Sequence, residues 1–331
     1  MNTSIRFVGA AMIAGSLSAT TTFAQEVRWD MANEYGETSI HGQAQKIFAD
    51  TAAELSGGDI LITNHFGASL GYTSAQHFDA VADGALPIAN TNVGSVAGIE
   101  PLFLLSSLPF LVGDFDEART LWEVARPYYE DVFAEYDQVL LYASPWPPAG
   151  IWAEQPVASG TDLQSLKIRA WDASGTNTLK AAGAAAIQLP WADVVPQLAS
   201  GGIEAVLTSA EGGVSAKFWE HLDSFSALNY AMSLNMTHVN KAEWDRLTDA
   251  QRDALLKAAE AASDYAWSAL EKRVGENYAE MRANGMTVRE ELDPEFLKAL
   301  NVAGAGVYED WLSKVGATGQ EILDKYAAAR D

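Results

Sequence analysis

Between Thr248 and Asn284 the chain contains no proline and repeats a pattern that one long helix can carry, and a helix of that length dictates what must surround it. Thr248-Asp249-Ala250-Gln251 forms a capping box, in which the Thr hydroxyl accepts the amide three residues on and Gln reaches back to the first. Leu255, Ala258, Ala262, Tyr265, Ala266, Ala269 and Leu270 then recur at helical spacing. Gly275 is the weak point of the run, and Asn284-Gly285 supplies a left-handed stop. Roughly 36 residues at the α-helical rise reach about 54 Å. A single ordinary domain has no use for such a rod, so it is expected to bridge two lobes.

The rest of the chain alternates. Val27–Ala32, Ile60–Thr63 and Leu86–Asn90 read as strands, separated by helical patterns from His41 to Leu55 and from Ser74 to Ala82. Ser56-Gly57-Gly58 and Gly84 stop those helices. Asp114–Tyr136 reads as a helix and Val139–Ala143 as a strand. Ser144–Gly150, with prolines at 145, 147 and 148, is expected to be irregular and to mark a domain boundary. A second series follows, with strands at Leu166–Ala170 and Ala205–Thr208 and helices near 174–182 and 193–198. Short alternating elements of this kind predict an α/β fold whose sheets are mainly parallel. The expected division is a first lobe of residues 25–145 plus about 230–262, and a second of 146–229 plus about 263–331, with the helix at 249–284 spanning both.

Residues 1–24 fall outside that division. Arg6 is their only charge, Phe7–Leu17 is a short apolar run, and Thr22-Phe23-Ala24 offers a small-residue cleavage site. This is the layout of a secretory signal peptide, expected to be removed after about Ala24, and its apolar run is short for a membrane span. The expectation is export to the periplasm with no stable membrane insertion. The formal net charge of −23 argues against nucleic acid and anionic membranes as partners, since both need clustered Lys and Arg.

Most catalytic chemistries lack their residues here. There is no cysteine, and His41, His65, His77, His221 and His238 form no metal-binding spacing, so each reads as a surface or hydrogen-bonded histidine. No phosphate-cradling glycine loop and no G-x-S-x-G elbow occurs. No cofactor, metal or enzymatic activity is therefore expected.

One basic residue stands out. Arg169 ends the strand of Leu166-Lys167-Ile168-Arg169, at the carboxyl end where open α/β sheets bind ligands. Its planar fork can meet a carboxylate through two charge-assisted hydrogen bonds. A lone arginine is by default a surface ion pair, but its neighbours add to the case. Pro156-Val157, Asp162-Leu163, Leu166–Arg169, then Pro190-Trp191-Ala192-Asp193-Val194, then Leu198 and Ile203-Glu204 follow one another in a fixed order. With Ser56-Gly57-Gly58, Leu70-Gly71 and Leu108-Pro109-Phe110, this order and spacing resemble the DctP-like solute-binding proteins of TRAP transporters over nearly the whole mature chain.

The resemblance implies a two-lobed periplasmic solute-binding fold that closes on a small organic acid and delivers it to two integral-membrane subunits, one small and one large. It also implies site residues. Arg169 would pair with the ligand carboxylate, Trp191 would lie against the ligand, and Thr208 would assist. Asn92 and Tyr72 would come from the first lobe, with Phe66 beside the same loop. Trp146, Trp152 and Trp171 join the candidates because large aromatics crowd the crossover and its neighbours. The chain also departs from the family. It lacks the second arginine of the sialic-acid branch, Ala205 replaces a glycine, and Val206-Leu207-Thr208-Ser209 stands where Q-E-N-P is usual. One cation among many aromatics predicts a monocarboxylate with a bulky or aromatic body. Two alternatives stay open: an amine or quaternary ammonium in a tryptophan cage with Glu34 or Glu211, and a secreted carbohydrate-active enzyme. An ABC-type binding protein fits the long helix less well.

Overall fold

In the computed structural model, which describes residues 26–330, two sheets face each other across a cleft. The signal-peptide expectation lies outside the described residues. The chain builds β1 (Val27–Asn33), α1 (Ile40–Leu55), β2 (Ile60–His65), α2 (Ser74–Ala82), β3 (Ile88–Asn92), α3 (Phe115–Glu135) and β4 (Gln138–Pro145). It then crosses over and forms β5 (Ala149–Ala153), α4 (Gly160–Leu163), β6 (Lys167–Ala170), α5 (Ala173–Ala181) and β7 (Ala185–Gln188). After these come α6 (Val194–Ala199), β8 (Ala205–Ser209), α7 (Ala210–Ser215) and β9 (Ser224–Ser226). A second crossing leads to β10 (Leu234–Asn240), α8 (Lys241–Asp245), α9 (Asp249–Ala283), β11 (Thr287–Arg289), α10 (Pro294–Val315) and α11 (Ala317–Arg330).

The strand orders are β2-β1-β3-β10-β4 and β11-β9-β5-β8-β6-β7. Each sheet is mixed rather than simply parallel, and connectivity explains why. The parallel strands of both lobes have their carboxyl ends at the cleft. A strand that leaves one sheet there enters the other from the cleft side and must run the opposite way. β4 leads into β5, antiparallel to β8 and β9; β9 leads into β10, antiparallel to β3 and β4.

Two local expectations need correction. The proline-rich segment is less irregular than its composition suggests, because β4 runs on through Pro145, paired with Leu234 at the strand's end. An edge-strand terminus tolerates the missing N–H. The long helix is as expected: α9 runs unbroken through Gly275 over 35 residues, with the Thr248/Gln251 capping box formed. The chain's end does not all join the second lobe. α11 packs on α3, and its Ile322 and Tyr326 belong to the first lobe's core.

α9 does bridge the lobes. Leu255, Ala258, Ala262 and Leu270 enter the first core, while Met281 enters the second. In the second sheet β5 and β8 are buried on both faces, with side chains alternating as strands require. Ile151 and Leu207 point to one cluster, Trp152 and Val206 to the other.

Candidate functional site

The cleft closes tightly over a small void. Its walls are the cleft-facing ends of the strands. Tyr35 follows β1, Asn92 ends β3, Arg169 and Trp171 lie at the end of β6, Trp191 in the turn after β7, and Thr208 and Ser209 at the end of β8. Trp146 and Pro147 from the first crossing, Ala149, Ala231 and Ser233 complete it.

Arg169 is 3% exposed. Its Nε donates to the Leu189 carbonyl at 2.9 Å, and its guanidinium carbon lies 5.6 Å from the Trp191 ring centroid. The two Nη nitrogens make no hydrogen bond, and the residue enters no ion pair, among the described residues. Burial pulls its pKa below the ordinary value, against the opposing pull of Tyr35, Glu34 and Asp172. A desolvated cation with its fork unused is costly in isolation and becomes favourable when an anion completes the geometry. Arg169 is the one charged residue lining the void.

The aromatic walls are fixed and apolar. The Trp146 indole N–H donates to Asn235 Oδ1 at 2.8 Å, and its ring sits 3.9 Å from that of His41 and 4.7 Å from that of Tyr35. His41 is itself held by Ser144 Oγ, 2.7 Å from Nδ1. The Trp171 N–H donates to Ser107 Oγ at 3.2 Å. With those donors occupied inside the protein, both indoles offer carbon surface. Among the described residues, the lining groups still free of side-chain hydrogen bonds include the Thr208 and Ser233 hydroxyls, the Asn92 amide nitrogen and the Trp191 indole N–H. They are neutral.

Behind Trp171, Asp172 caps α5 by accepting from the Gly175 N–H at 2.9 Å, while its Oδ2 has no partner. Burial pushes its carboxyl up to about 6, despite the Gly175 hydrogen bond and the nearby Arg169.

Of the residues singled out in the sequence, Arg169, Trp191, Thr208, Asn92, Trp171 and Trp146 meet in this void, and four do not. Trp152 is fully buried on the sheet face opposite Ile151, against Phe218 and Phe225, with its N–H donated to the Ser209 carbonyl. Gly213 makes room for it, since a Cβ there would fall 2.1 Å from the indole. Tyr72 packs beside the small cluster of Ala32, Ala80 and Leu86, and Phe66 follows β2, the outer edge strand. Neither lines the void. Glu211 is buried, but both its oxygens are occupied by Ile40 N–H, Arg273 and Asn277 at 2.7–3.1 Å. Glu34 is likewise spent, on the backbone N–H groups of Ser74 and Ala192. Neither carboxylate is free for a cationic ligand.

Tyr35 and Ser233 were missed. Tyr35 was within reach of the rule that singles out Arg169, since it follows a parallel strand at the cleft end. Ser233 precedes β10, whose run Leu-Asn-Met-Thr-His-Val-Asn hides its strand character behind buried polar residues.

Two lobes, a bridging helix and a cleft lined by one buried arginine define the class: a solute-binding protein of the two-lobed kind. More specifically, residues 31–314 match bacterial extracellular solute-binding protein family 7 (DctP), and the chain belongs to that family, the solute-binding proteins of TRAP transporters. A marine metagenome TRAP solute-binding protein from an unidentified microbe, specific for pyroglutamate, is 33% identical with a TM-score of 0.87, covering 92% of this chain and 99% of that one. DctP7 of Bordetella pertussis, an extracytoplasmic receptor binding pyroglutamic acid, is 30% identical with a TM-score of 0.88 over 91% and 99%. The sialic acid-binding periplasmic protein SiaP of Vibrio cholerae is 22% identical, with 98% of this chain and 99% of SiaP aligned. Among the described residues no helix is long and apolar enough to cross a membrane.

Proposed function

We propose that this protein captures a compact monocarboxylate in the periplasm, by pairing its carboxylate with Arg169, and presents it to the membrane subunits of a TRAP transporter. The observation that carries this reading is the buried Arg169 fork with its Nη donors unused, in a void that Thr208 also lines. The rest of the lining supports one charge and no more. Trp146, Trp171 and Trp191 would sandwich the ligand body, and Asn92 and Ser233 offer neutral hydrogen bonds to a second polar group. The small void favours a compact ring over the bulky body expected from the aromatic count. Pyroglutamate, the compound bound by the two relatives above, has this make-up: one carboxylate and a neutral lactam. An amine ligand is disfavoured because Glu34 and Glu211 are already engaged.

A thermal-shift panel of L-pyroglutamate, other monocarboxylates, glucuronate and quaternary amines tests the proposal. A true ligand at one hundred times its Kd adds about 2.7 kcal/mol of stability. That shift is expected from a monocarboxylate and is expected to vanish in Arg169→Ala. Equal stabilisation of the wild type and Arg169→Ala by the same acid would rule the assignment out.

A further inference from the structure

Two consecutive residues of the first lobe grip the turn of the second lobe that carries Trp191. Glu34 lies just past β1, is 4% exposed, and has no cationic partner within 4.0 Å. Its Oε2 accepts from the Ser74 N–H at the start of α2 at 2.9 Å, within its own lobe. Its Oε1 reaches across the cleft and accepts from the Ala192 N–H at 3.1 Å. Next to it, the Tyr35 ring lies 5.7 Å from that of Trp191. The gripped turn in turn holds the anion receptor, because Leu189 accepts from Arg169 Nε and Trp191 covers its guanidinium.

We propose that Glu34 is a positioning residue: by taking the Ala192 N–H it seats Trp191 over the ligand space, sustains a closed form of the protein, and sets how slowly ligand leaves. It touches no ligand and acts through the backbone of the facing turn. A carboxylate suits this role because both its oxygens accept, so one stays anchored to α2 while the other is traded between water in the open form and Ala192 in the closed form. The geometry has a counterpart in the other direction. Glu211 of the second lobe accepts from the Ile40 N–H at the start of α1, 2.9 Å away. Glu211 is fixed by Arg273 and Asn277, however, so Glu34 is the separable half.

The ligand-release part of this inference rests on the capture at Arg169 proposed above; the closure part does not. Glu34→Gln keeps the shape but turns one acceptor into a donor facing an N–H group. Loss of one charge-assisted hydrogen bond is expected to speed dissociation of L-pyroglutamate about tenfold to hundredfold, with association within about twofold of wild type, since affinity changes within one interface fall mainly on the off-rate. Stopped-flow tryptophan fluorescence reads both rates. Because the chain has no cysteine, spin labels at Asp79→Cys and Ser200→Cys, both exposed, report the lobe separation without background. In ligand-free protein a short-distance population is expected for wild type and is expected to shrink in Glu34→Gln, with circular dichroism unchanged. A wild type that is wholly open without ligand, or a Glu34→Gln protein with the wild-type distance distribution, overturns the proposal. If L-pyroglutamate binds neither protein, the ligand assignment fails and the distance measurement alone decides the clasp.

Discussion

The two lobes bury polarity in opposite ways. The first hides mainly neutral groups that answer one another, with the Glu34 carboxylate as its buried charge: Asn33 donates to Gln45, Asn235 to Asn90, Asn90 to Thr237, and His238 sits between Thr91 and Gln138. The second hides charge, in Arg169, Asp172 and Glu211. Neutral networks with their partners in place rigidify a scaffold at little electrostatic risk. A buried charge is either answered within the protein, as Glu211 is by Arg273 and Asn277, or left for something else to answer, as Arg169 is. On the proposed function, recognition would concentrate in the second lobe, with the first supplying a wall and the proposed clasp.

Acid is the broadest way to stress this contrast. Burial holds His41 and His238 down to about 3 and His77 down to about 4. The unfolded chain takes protons on these rings below about 6.5 while the folded chain refuses them, so stability is full above that pH and falls as pH drops through the window. At pH 5 the loss is about 2 kcal/mol per histidine. Asp172 works the other way: its folded value is raised to about 6, so protonation below that favours the fold and offsets about 1 kcal/mol at pH 5. Urea unfolding midpoints should fall clearly from pH 7 to pH 5, and equal midpoints would contradict the neutral burial of the first lobe.

The next effect separates the two kinds of buried charge. Glu211→Ala strips the partner from Arg273, which is part-exposed, and from the start of α1, and is expected to cost about 3 kcal/mol in urea unfolding, the low end for a broken buried pair. Arg169→Ala removes an unanswered cation and is expected to leave ligand-free stability within about 1 kcal/mol of wild type. Comparable losses in both would erase the distinction between scaffold charge and receptor charge.

Much of this was legible in the residues. The capping box and unbroken run of α9 announced the bridging helix, and Arg169 at a strand's carboxyl end pointed to the cleft that it lines. Partnership was not legible. Trp152 and Trp146 are the same residue type six positions apart, yet strand alternation turns one into the core while the crossing turns the other into the cleft. Glu211 looked available because nothing in its local sequence reveals Arg273, 62 residues away in the chain. The mainly parallel sheets were legible, but the one reversed strand in each, β10 and β5, was not, since its direction follows from where the chain crosses between lobes.

The most direct test of the receptor is a crystal structure with the acid that gives the largest thermal shift. The account predicts the ligand between the Trp146, Trp171 and Trp191 rings with its carboxylate oxygens about 2.7–2.9 Å from the Arg169 Nη atoms. A ligand whose acid group is bound elsewhere, with the Arg169 fork still unpaired, would contradict it.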